Sequence, residues 1–290
     1  MKHSLVSILS LMVLSSISLV NTYAQCSDGG ICSVGGHSMG EEDNNQLKIS
    51  VSYNFGSSGK DDDVRYHSFR VGAIYNVLEI TSVQLSLPYN IQSGPLGDVS
   101  GIGDLILSVN QNLFRNDNSS LDASVGAKLA TGDDNKDNLP MAYQSGLGSN
   151  DLIFAINYSY DQLGFGIGYQ LAGARNDNIN KLKRGDDLLV RASYNFLLDE
   201  FTITPQLLFI KRLGKSDVVN LLAAGPIDSY IDIPESDQTQ VNLLTQVQYQ
   251  INNNYSLFAD FAIPFIKREV NVDGLTRSFS ASLGIQLSIN

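Results

Sequence analysis

Apolar and polar side chains alternate along almost the whole chain with a period of two residues. From Leu47 to Phe55 the odd-numbered positions are apolar or aromatic, and the even-numbered ones are lysine, serine or asparagine. The last segment, from Phe279 to Ile289, repeats the pattern. Successive side chains of a β-strand point to opposite faces, so each segment predicts a strand with one apolar and one polar face. The helical period of 3.6 residues fits none of these segments.

Twelve such segments follow one another, and the connections between them alternate between short turns and long polar loops. The long connections lie near residues 56–63, 91–101, 132–148, 173–185, 213–237 and 267–276. Antiparallel up-and-down strands with this arrangement of turns are typical of bacterial outer-membrane barrels. The sequence therefore predicts an all-β, transmembrane barrel of about twelve strands, with short periplasmic turns and long extracellular loops.

Soluble sandwiches and soluble lipocalin-like barrels also alternate in sequence. Strands of soluble sheets average about 5–6 residues, whereas a tilted strand that crosses hydrocarbon needs roughly 9–11, and most segments here are at least that long. Aromatic residues also gather near segment ends, as Tyr158 and Tyr160 do, where membrane barrels carry their aromatic girdles. A lipocalin-like barrel needs only eight strands. These features favour the membrane barrel.

Charged residues within the predicted strands fall on the polar parity. An arginine or lysine that faces lipid at the bilayer midplane costs about 2–4 kcal/mol, so we expect these charges to point into the lumen. The lumen-lining candidates are Lys48, Arg70, Asp104, Asp122, Lys128, Arg191, Arg212 and Asp260. They form either a constriction of mixed charge or a set of mutually satisfied ion pairs. On the same parity, Gly164, Gly166 and Gly168 either leave room for a solute or water path, or merely let a plug approach or the strand coil.

The N-terminus has the composition of a secretory signal peptide. A short basic start precedes an apolar stretch, and residues up to Ala24 offer the small side chains that signal peptidase reads. We expect residues 1–24 to be removed, residues 25–45 to form a periplasmic tail or plug, and residues 46–290 to form the barrel.

Both cysteines, Cys26 and Cys32, lie in the segment that precedes the first strand. An exported segment meets an oxidising compartment, so the spacing predicts a small disulfide. Free or redox-active thiols, and a metal site that includes His37, are the alternatives. Two cysteines and one histidine make an incomplete zinc set, and we predict no metal.

The formal net charge is −11, from 19 basic and 30 acidic residues. Nucleic-acid binding needs a basic face, so this class of partner is excluded. Acidic residues gather in two long loops, where they are either solvated or bridged through cations to lipopolysaccharide. These residues are Asp61, Asp62, Asp63, Asp133, Asp134 and Asp137.

The last strand resembles the C-terminal signal that the outer-membrane assembly machinery reads. Its polar residue, glycine and hydrophobic residues lie between Ser282 and Ile289, although the chain ends in Asn290 rather than in an aromatic residue. We expect that machinery, outer-membrane lipid and lipopolysaccharide to be partners.

Two motifs carry a family resemblance. Leu87-Pro88-Tyr89 followed by a Gly-Ile-Gly-Asp-Leu sequence ending at Leu105 resembles a signature of the outer-membrane family named for the phenol meta-cleavage pathway. A Lys-Leu-Ala-Thr-Gly-Asp sequence from Lys128 resembles a second one, with Ala130 where that family usually has proline. The resemblance implies a barrel that passes small, often aromatic or apolar molecules.

Catalytic signatures are missing from the sequence. Neither His37 nor His67 belongs to a Ser/His/Asn arrangement, and no Gly-rich phosphate loop is present. We therefore predict a passive channel without cofactor or enzymatic activity, for uptake or efflux of small molecules. The alternative is a structural or surface-interaction barrel whose lumen is blocked.

Overall fold

The computed structural model describes residues 46–59, 63–221 and 229–289, which are almost entirely strands and their connections. Two short 3-10 turns, Lys136–Asn138 and Met141–Tyr143, lie in one loop. In these residues no helix is long and apolar enough to cross a membrane. The strands are β1 (Leu47–Ser57), β2 (Arg65–Leu78), β3 (Thr81–Gly94), β4 (Gly97–Ile102), β5 (Leu105–Arg115), β6 (Ser119–Leu129), β7 (Asp151–Tyr160), β8 (Leu163–Leu171), β9 (Asp187–Tyr194), β10 (Phe196–Leu198), β11 (Phe201–Arg212), β12 (Asp217–Val219), β13 (Tyr230–Asp232), β14 (Thr239–Gln250), β15 (Tyr255–Ile266) and β16 (Phe279–Ile289).

The main sheet closes on itself. The first strand, β1, pairs antiparallel with the last, β16, from Leu47 opposite Ile289 to Ser57 opposite Phe279. Strands β4 and β5 form one interrupted strand beside β3, and β9 and β10 form another beside β11. Strands β12 and β13 form a separate hairpin in a loop. Twelve strands therefore complete the barrel, which confirms the predicted all-β, up-and-down fold.

The two ends of the barrel differ as predicted. Gln46 and Ile289 lie at the end with the short turns, and the loops 130–150, 172–186, 213–238 and 267–278 lie at the other. The prediction of a long connection near 91–101 is wrong, because β3 and β4 form a hairpin there, with Gly94 opposite Gly97. Gly97 has a φ of +132°, which glycine tolerates. The glycines that suggested a loop therefore form a tight turn between two paired strands.

The outer face of the barrel is apolar. On β7 the outward residues from Leu152 to Tyr160 are exposed, and the intervening residues from Asp151 to Ser159 are buried. Exposed leucine, valine, isoleucine and aromatic side chains likewise occupy the outward-facing positions of the other strands. Such a surface is unfavourable in water, whereas a closed sheet with an apolar exterior satisfies its backbone within hydrocarbon. The fold is therefore that of a bacterial outer-membrane protein.

Candidate functional site: the lumen and its extracellular cap

Three of the long loops pack together over the extracellular mouth. They are residues 130–150, 172–186 and 267–278, which we call the cap. Met141 and Leu147 of the first loop form a buried cluster with Leu182 of the second, and Leu275 of the third packs against it. The cap is therefore held partly by a small apolar core of its own.

Glycines allow the cap to lie directly on the strand ends. A β-carbon added at Gly132 would lie 2.8 Å from the Cα of Gly146, and one added at Gly103 would lie 3.1 Å from the carbonyl oxygen of Ser145. Any side chain at these positions would push the two segments apart. Gly103 and Gly132, which belong to the two motifs that resemble the phenol meta-cleavage family, thus let residues 141–147 pack closely against the strand ends.

Asp104 joins the barrel wall to the cap. Its Oδ2 accepts hydrogen bonds from the backbone N–H of Leu147 at 2.8 Å and from Lys128 Nζ at 3.4 Å, and its Oδ1 accepts one from the N–H of Gly132 at 3.3 Å. The side chain is 5 % exposed. Because hydrogen bonds to a buried carboxylate are stronger than neutral ones, Asp104 fixes the position of this loop.

Lys128 begins a buried network of ion pairs. Its Nζ lies 3.1 Å from Asp151 Oδ2, which also accepts a hydrogen bond from Arg184 at 3.0 Å. Asp151 Oδ1 accepts a further bond from the backbone N–H of Gly173 at 3.0 Å. Strands β6 and β7 are in this way tied to the second loop of the cap.

Arg212 is the centre of the other half of the network. Its guanidinium donates to both oxygens of Asp187, at 3.0 and 2.9 Å, and to Asp273 Oδ2 at 2.8 Å. Arg268 lies 3.7 Å from the same Asp273 oxygen. We call the four basic and four acidic side chains the ion-pair network, and none is more than 9 % exposed. Its members are Asp104, Lys128, Asp151, Arg184, Asp187, Arg212, Arg268 and Asp273.

Asp273 belongs to a loop outside the strands, and its neighbours keep it ionised. Burial alone would raise the pKa of this carboxyl, but Arg268, Arg212 and Arg184 outweigh that effect and hold the pKa well below its usual range. The third loop of the cap is thus attached to the barrel through a charged carboxylate at neutral pH.

Three of the eight lumen candidates, Asp104, Lys128 and Arg212, meet in the network, and the other five do not. Asp122 accepts hydrogen bonds from Asn112 and Ser120, and Asp260 accepts them from Gln246 and Ser282. Arg191 is buried, whereas Lys48 and Arg70 are half-buried. All eight lie on the parity opposite the apolar outer face.

Side chains occupy the space beside Gly166 on β8. A β-carbon there would lie 2.7 Å from Arg191 Nε and 2.7 Å from Asn157 Oδ1. Arg191 donates to the same Asn157 oxygen at 3.0 Å. The space therefore accommodates the Arg191 side chain, which neither of the two sequence-based interpretations foresaw.

Sequence reasoning missed five members of the ion-pair network. Asp151 and Asp187 are the first residues of β7 and β9 and lie on the inward parity, so extending the alternation rule by one residue would have found them. Arg184, Arg268 and Asp273 lie in loops, where no periodicity identifies the direction of a side chain.

Part of the inner face is apolar, contrary to the expectation that it would be uniformly polar. Ile153, Leu189, Leu208 and Ile210 form a buried cluster, with Ile106 and Leu244 against it. We call these six residues the lumen apolar cluster. They come from β5, β7, β9, β11 and β14, where adjacent inward side chains across the lumen bury one another instead of meeting water.

A small cavity lies between the cap and the inner face of β2, β3 and β5. Asn90, Gln92 and Ile106 line it from the wall, and Ser145 and Leu147 line it from the cap. The centre of a water molecule can occupy about 30 Å³ of it, which is room for roughly two waters.

Buried polar atoms without a hydrogen-bond partner among the described residues concentrate on the lumen side. They belong to Ser68, Asn90, Gln92, Ser108, Asn157, Gln170 and Arg184. Such atoms are rare in protein interiors unless water satisfies them.

The four acidic loop residues that the structure describes do not gather in one site. Asp63, Asp133 and Asp137 are exposed, and Asp134 accepts a hydrogen bond from the backbone N–H of Asp177 at 2.7 Å. Asp61 and Asp62, the signal peptide, the tail or plug and the Cys26–Cys32 pair lie outside the described residues. In the part of the chain that is described, no group of three His, Cys, Asp or Glu side chains could hold a metal ion.

No known family model matches the sequence, and no curated protein does. The fold is similar to an outer-membrane channel from Pseudomonas putida F1, with a TM-score of 0.65, 14 % identity, and coverage of 88 % of this chain and 98 % of that one. The NanC porin gives a TM-score of 0.48 at 12 % identity, over 84 % of this chain and 99 % of that one. At these identities the similarity to the channel establishes a common fold.

Proposed function

We propose that the protein is a passive outer-membrane channel for small molecules. The observation that carries the proposal is the closed twelve-stranded barrel whose inner face bears many polar and charged side chains beneath an apolar exterior. A barrel that served only as a scaffold gains nothing from enclosing so many polar groups, because each loses hydration when it is buried.

The family resemblance in the sequence supports the same function. It implies small solutes, with aromatic or apolar ones among them, and it extends the proposal to the phenol meta-cleavage family. The glycines and Asp104 in the matching motifs hold the cap, so the resemblance includes the part of the molecule that controls entry.

A barrel with a blocked lumen is the second candidate. The cap and the lumen apolar cluster bury apolar side chains in the extracellular half, and this packing favours a structural or surface-interaction role. The two functions differ in one measurable property, which is whether anything passes through the barrel.

Planar-bilayer recording with the purified mature protein tests the proposal. We expect discrete conductance steps, both from the whole mature chain and from a variant that lacks residues 25–45. If neither protein conducts or carries solute, the channel function is wrong and the blocked barrel stands. Conductance only in the shortened variant would identify the N-terminal segment as a plug and retain the channel function.

A further inference from the structure

One wall of the lumen is covered along its whole length. On the four consecutive strands β6, β7, β8 and β9, every inward-facing residue is buried. Large side chains such as Leu189 and Arg191 are buried there as well as small ones. The inward side chains of this wall therefore pack against other protein groups and present little surface to water.

The wall where the barrel closes, between its first and last strands, is different. Inward side chains are half-exposed near the periplasmic end, where Ser50 on β1 lies opposite Gln286 on β16. They are half-exposed again towards the cap, at Asn54, Ser280 and Ser282. We call these five residues the seam. Because their side chains are polar and point into the lumen, water reaches the barrel wall along the seam.

The middle of the seam is continued by the two strands beside it. Ser52 is 8 % exposed, and the ring of Phe258 covers Gly284, which lies opposite Ser52. Phe258 on β15 and Arg70 on β2 lie in the same register row and are half-exposed. Half-exposed inward side chains therefore occur at every level of this wall.

On five other strands the exposure ends before the cap. The inward residues of β2, β3, β11, β14 and β15 are half-exposed only in the periplasmic part or the middle of the strand. Nearer the cap they are buried, as Asn90, Leu208 and Ala262 are. The seam differs from these strands because its accessible side chains extend up to the cap.

The side chain of Arg277 lies across the extracellular end of the seam. In the register Ser280 pairs with Gly56, and Gly56 pairs with Tyr66. A β-carbon on Gly56 would lie 3.3 Å from Arg277 Cδ, and the guanidinium carbon of Arg277 lies 3.1 Å from the centre of the Tyr66 ring. The arginine therefore covers this row of residues, and glycine at position 56 leaves the space for it.

Arg277 belongs to the third loop of the cap and is 3 % exposed. Its Nη1 donates hydrogen bonds to the carbonyl oxygens of Gly274 at 2.7 Å and Thr276 at 3.3 Å. The attraction between its guanidinium and the Tyr66 ring is weaker than a buried ion pair. None of these three contacts involves a member of the ion-pair network, which holds the rest of the cap.

We infer that water and solutes pass along the seam, and that the side chain of Arg277 closes the extracellular end of this path. The inference rests on the proposed channel function. It adds the position of the path within the barrel and the residue that limits entry. The wall formed by β6 to β9 offers no such surface.

Cysteine accessibility tests the position of the path. The two native cysteines, Cys26 and Cys32, are first replaced by serine in the full mature chain. Single cysteines are then introduced as Ser50→Cys and Ser280→Cys in the seam, and as Ser124→Cys on the inward face of β6, where the native serine is buried. Proteoliposomes are treated with a methanethiosulfonate reagent that carries a trimethylammonium group, and the modified fraction is measured by mass spectrometry.

We expect the two seam cysteines to react about tenfold faster than the cysteine on β6, because thiol reactivity requires exposure. Their modification should also lower the single-channel conductance, because the added group narrows the path. Equal reaction rates, or an unchanged conductance after modification, would contradict the path. If Ser50→Cys does not fold, Gln286→Cys, directly opposite in the register, takes its place. A protein without any conductance would contradict the channel function instead, so the two failures give different results.

Arg277→Ala tests the closing residue. We expect a higher single-channel conductance and a severalfold faster reaction at Ser280→Cys, because the arginine no longer covers that end of the seam. Arg65→Ala, at an exposed arginine that begins β2, is the matched control and should change neither value. If Arg277→Ala also changes neither value, Arg277 does not close the path.

A general loosening of the cap predicts a different result from the loss of one covering side chain. Ser149 is buried in the first loop of the cap, so Ser149→Cys should react slowly both with and without Arg277→Ala. Fast reaction at Ser149→Cys only in the Arg277→Ala background would show that the whole cap has moved. The role assigned to the Arg277 side chain would then be wrong.

Discussion

The two halves of the lumen follow the same alternation rule but are held in different ways. In the extracellular half, loop residues such as Arg184 and Asp273 reach the inner wall and are almost fully buried. In the periplasmic half, inward side chains are either half-exposed, as Gln246 and Gln248 are, or buried against neighbouring strands, as Ser120 is against Ser159, and the strands end in short turns. Strand pairing and lipid therefore suffice for the periplasmic half, whereas access from outside depends on contacts between loops and wall.

Arg212→Ala, in the extracellular half, should have the largest effect on stability and conductance. The substitution removes the partner of two buried carboxylates, Asp187 and Asp273, and breaking a buried ion pair typically costs about 3–5 kcal/mol. We expect a lower free energy of unfolding in urea titrations from vesicles. We also expect a higher single-channel conductance, because the third cap loop loses its attachment.

Lys48→Ala is the matched variant in the periplasmic half. Lys48 is half-buried, and removal of a partly solvated charge costs less than about 1 kcal/mol. Conductance and stability should both stay close to wild type. Equal effects of the two substitutions would show that the halves are not held differently.

Leu189→Ala and Leu188→Ala compare the inside of the barrel with its outside at neighbouring positions. Leu189 is 1 % exposed within the lumen apolar cluster, and its truncation leaves a cavity that costs about 2–5 kcal/mol. Leu188 lies on the outward parity of β9, where lipid chains are as apolar as leucine and refill the space. In urea titrations, the free energy of unfolding should therefore be much lower for Leu189→Ala than for Leu188→Ala. The reverse order would show that the stabilising apolar contacts are on the outer face and not in the lumen.

The two halves depend on different kinds of contact, and this difference explains which features the sequence could predict. Alternation reports the direction of each strand residue, so the twelve strands, the apolar exterior and the inward parity of Lys128 and Arg212 were accessible. Alternation does not report what a side chain meets across the lumen, which is why Ile153 was not expected to be buried there. The partners of Arg212 include Asp273, 61 residues further along the chain, and no local pattern connects them.

The smallest predicted effect is an acid-induced opening of the cap. The folded-state pKa of Asp273 is depressed, so its contribution to stability is fully present above the ordinary carboxyl pKa of about 3.9. That contribution is lost only as pH falls through the lower folded-state value. Loss of the Asp273 contact should therefore raise the conductance only below about pH 4, in bilayer recordings at fixed ionic strength.

Asp273→Asn separates this carboxyl from the others that titrate in acid. The variant keeps the side-chain shape but lacks the charge, so the third cap loop should already be loosened at pH 7 and should respond less to acid. An acid response of unchanged size in Asp273→Asn would assign the opening to another group. A rise in wild-type conductance between pH 7 and pH 5 that Asp273→Asn lacks would show that the arginines around Asp273 do not hold its pKa down, and the attachment of the cap through this carboxylate would then be wrong. A rise that the variant keeps would belong to another cap contact, such as that of Asp104, whose pKa is raised by burial.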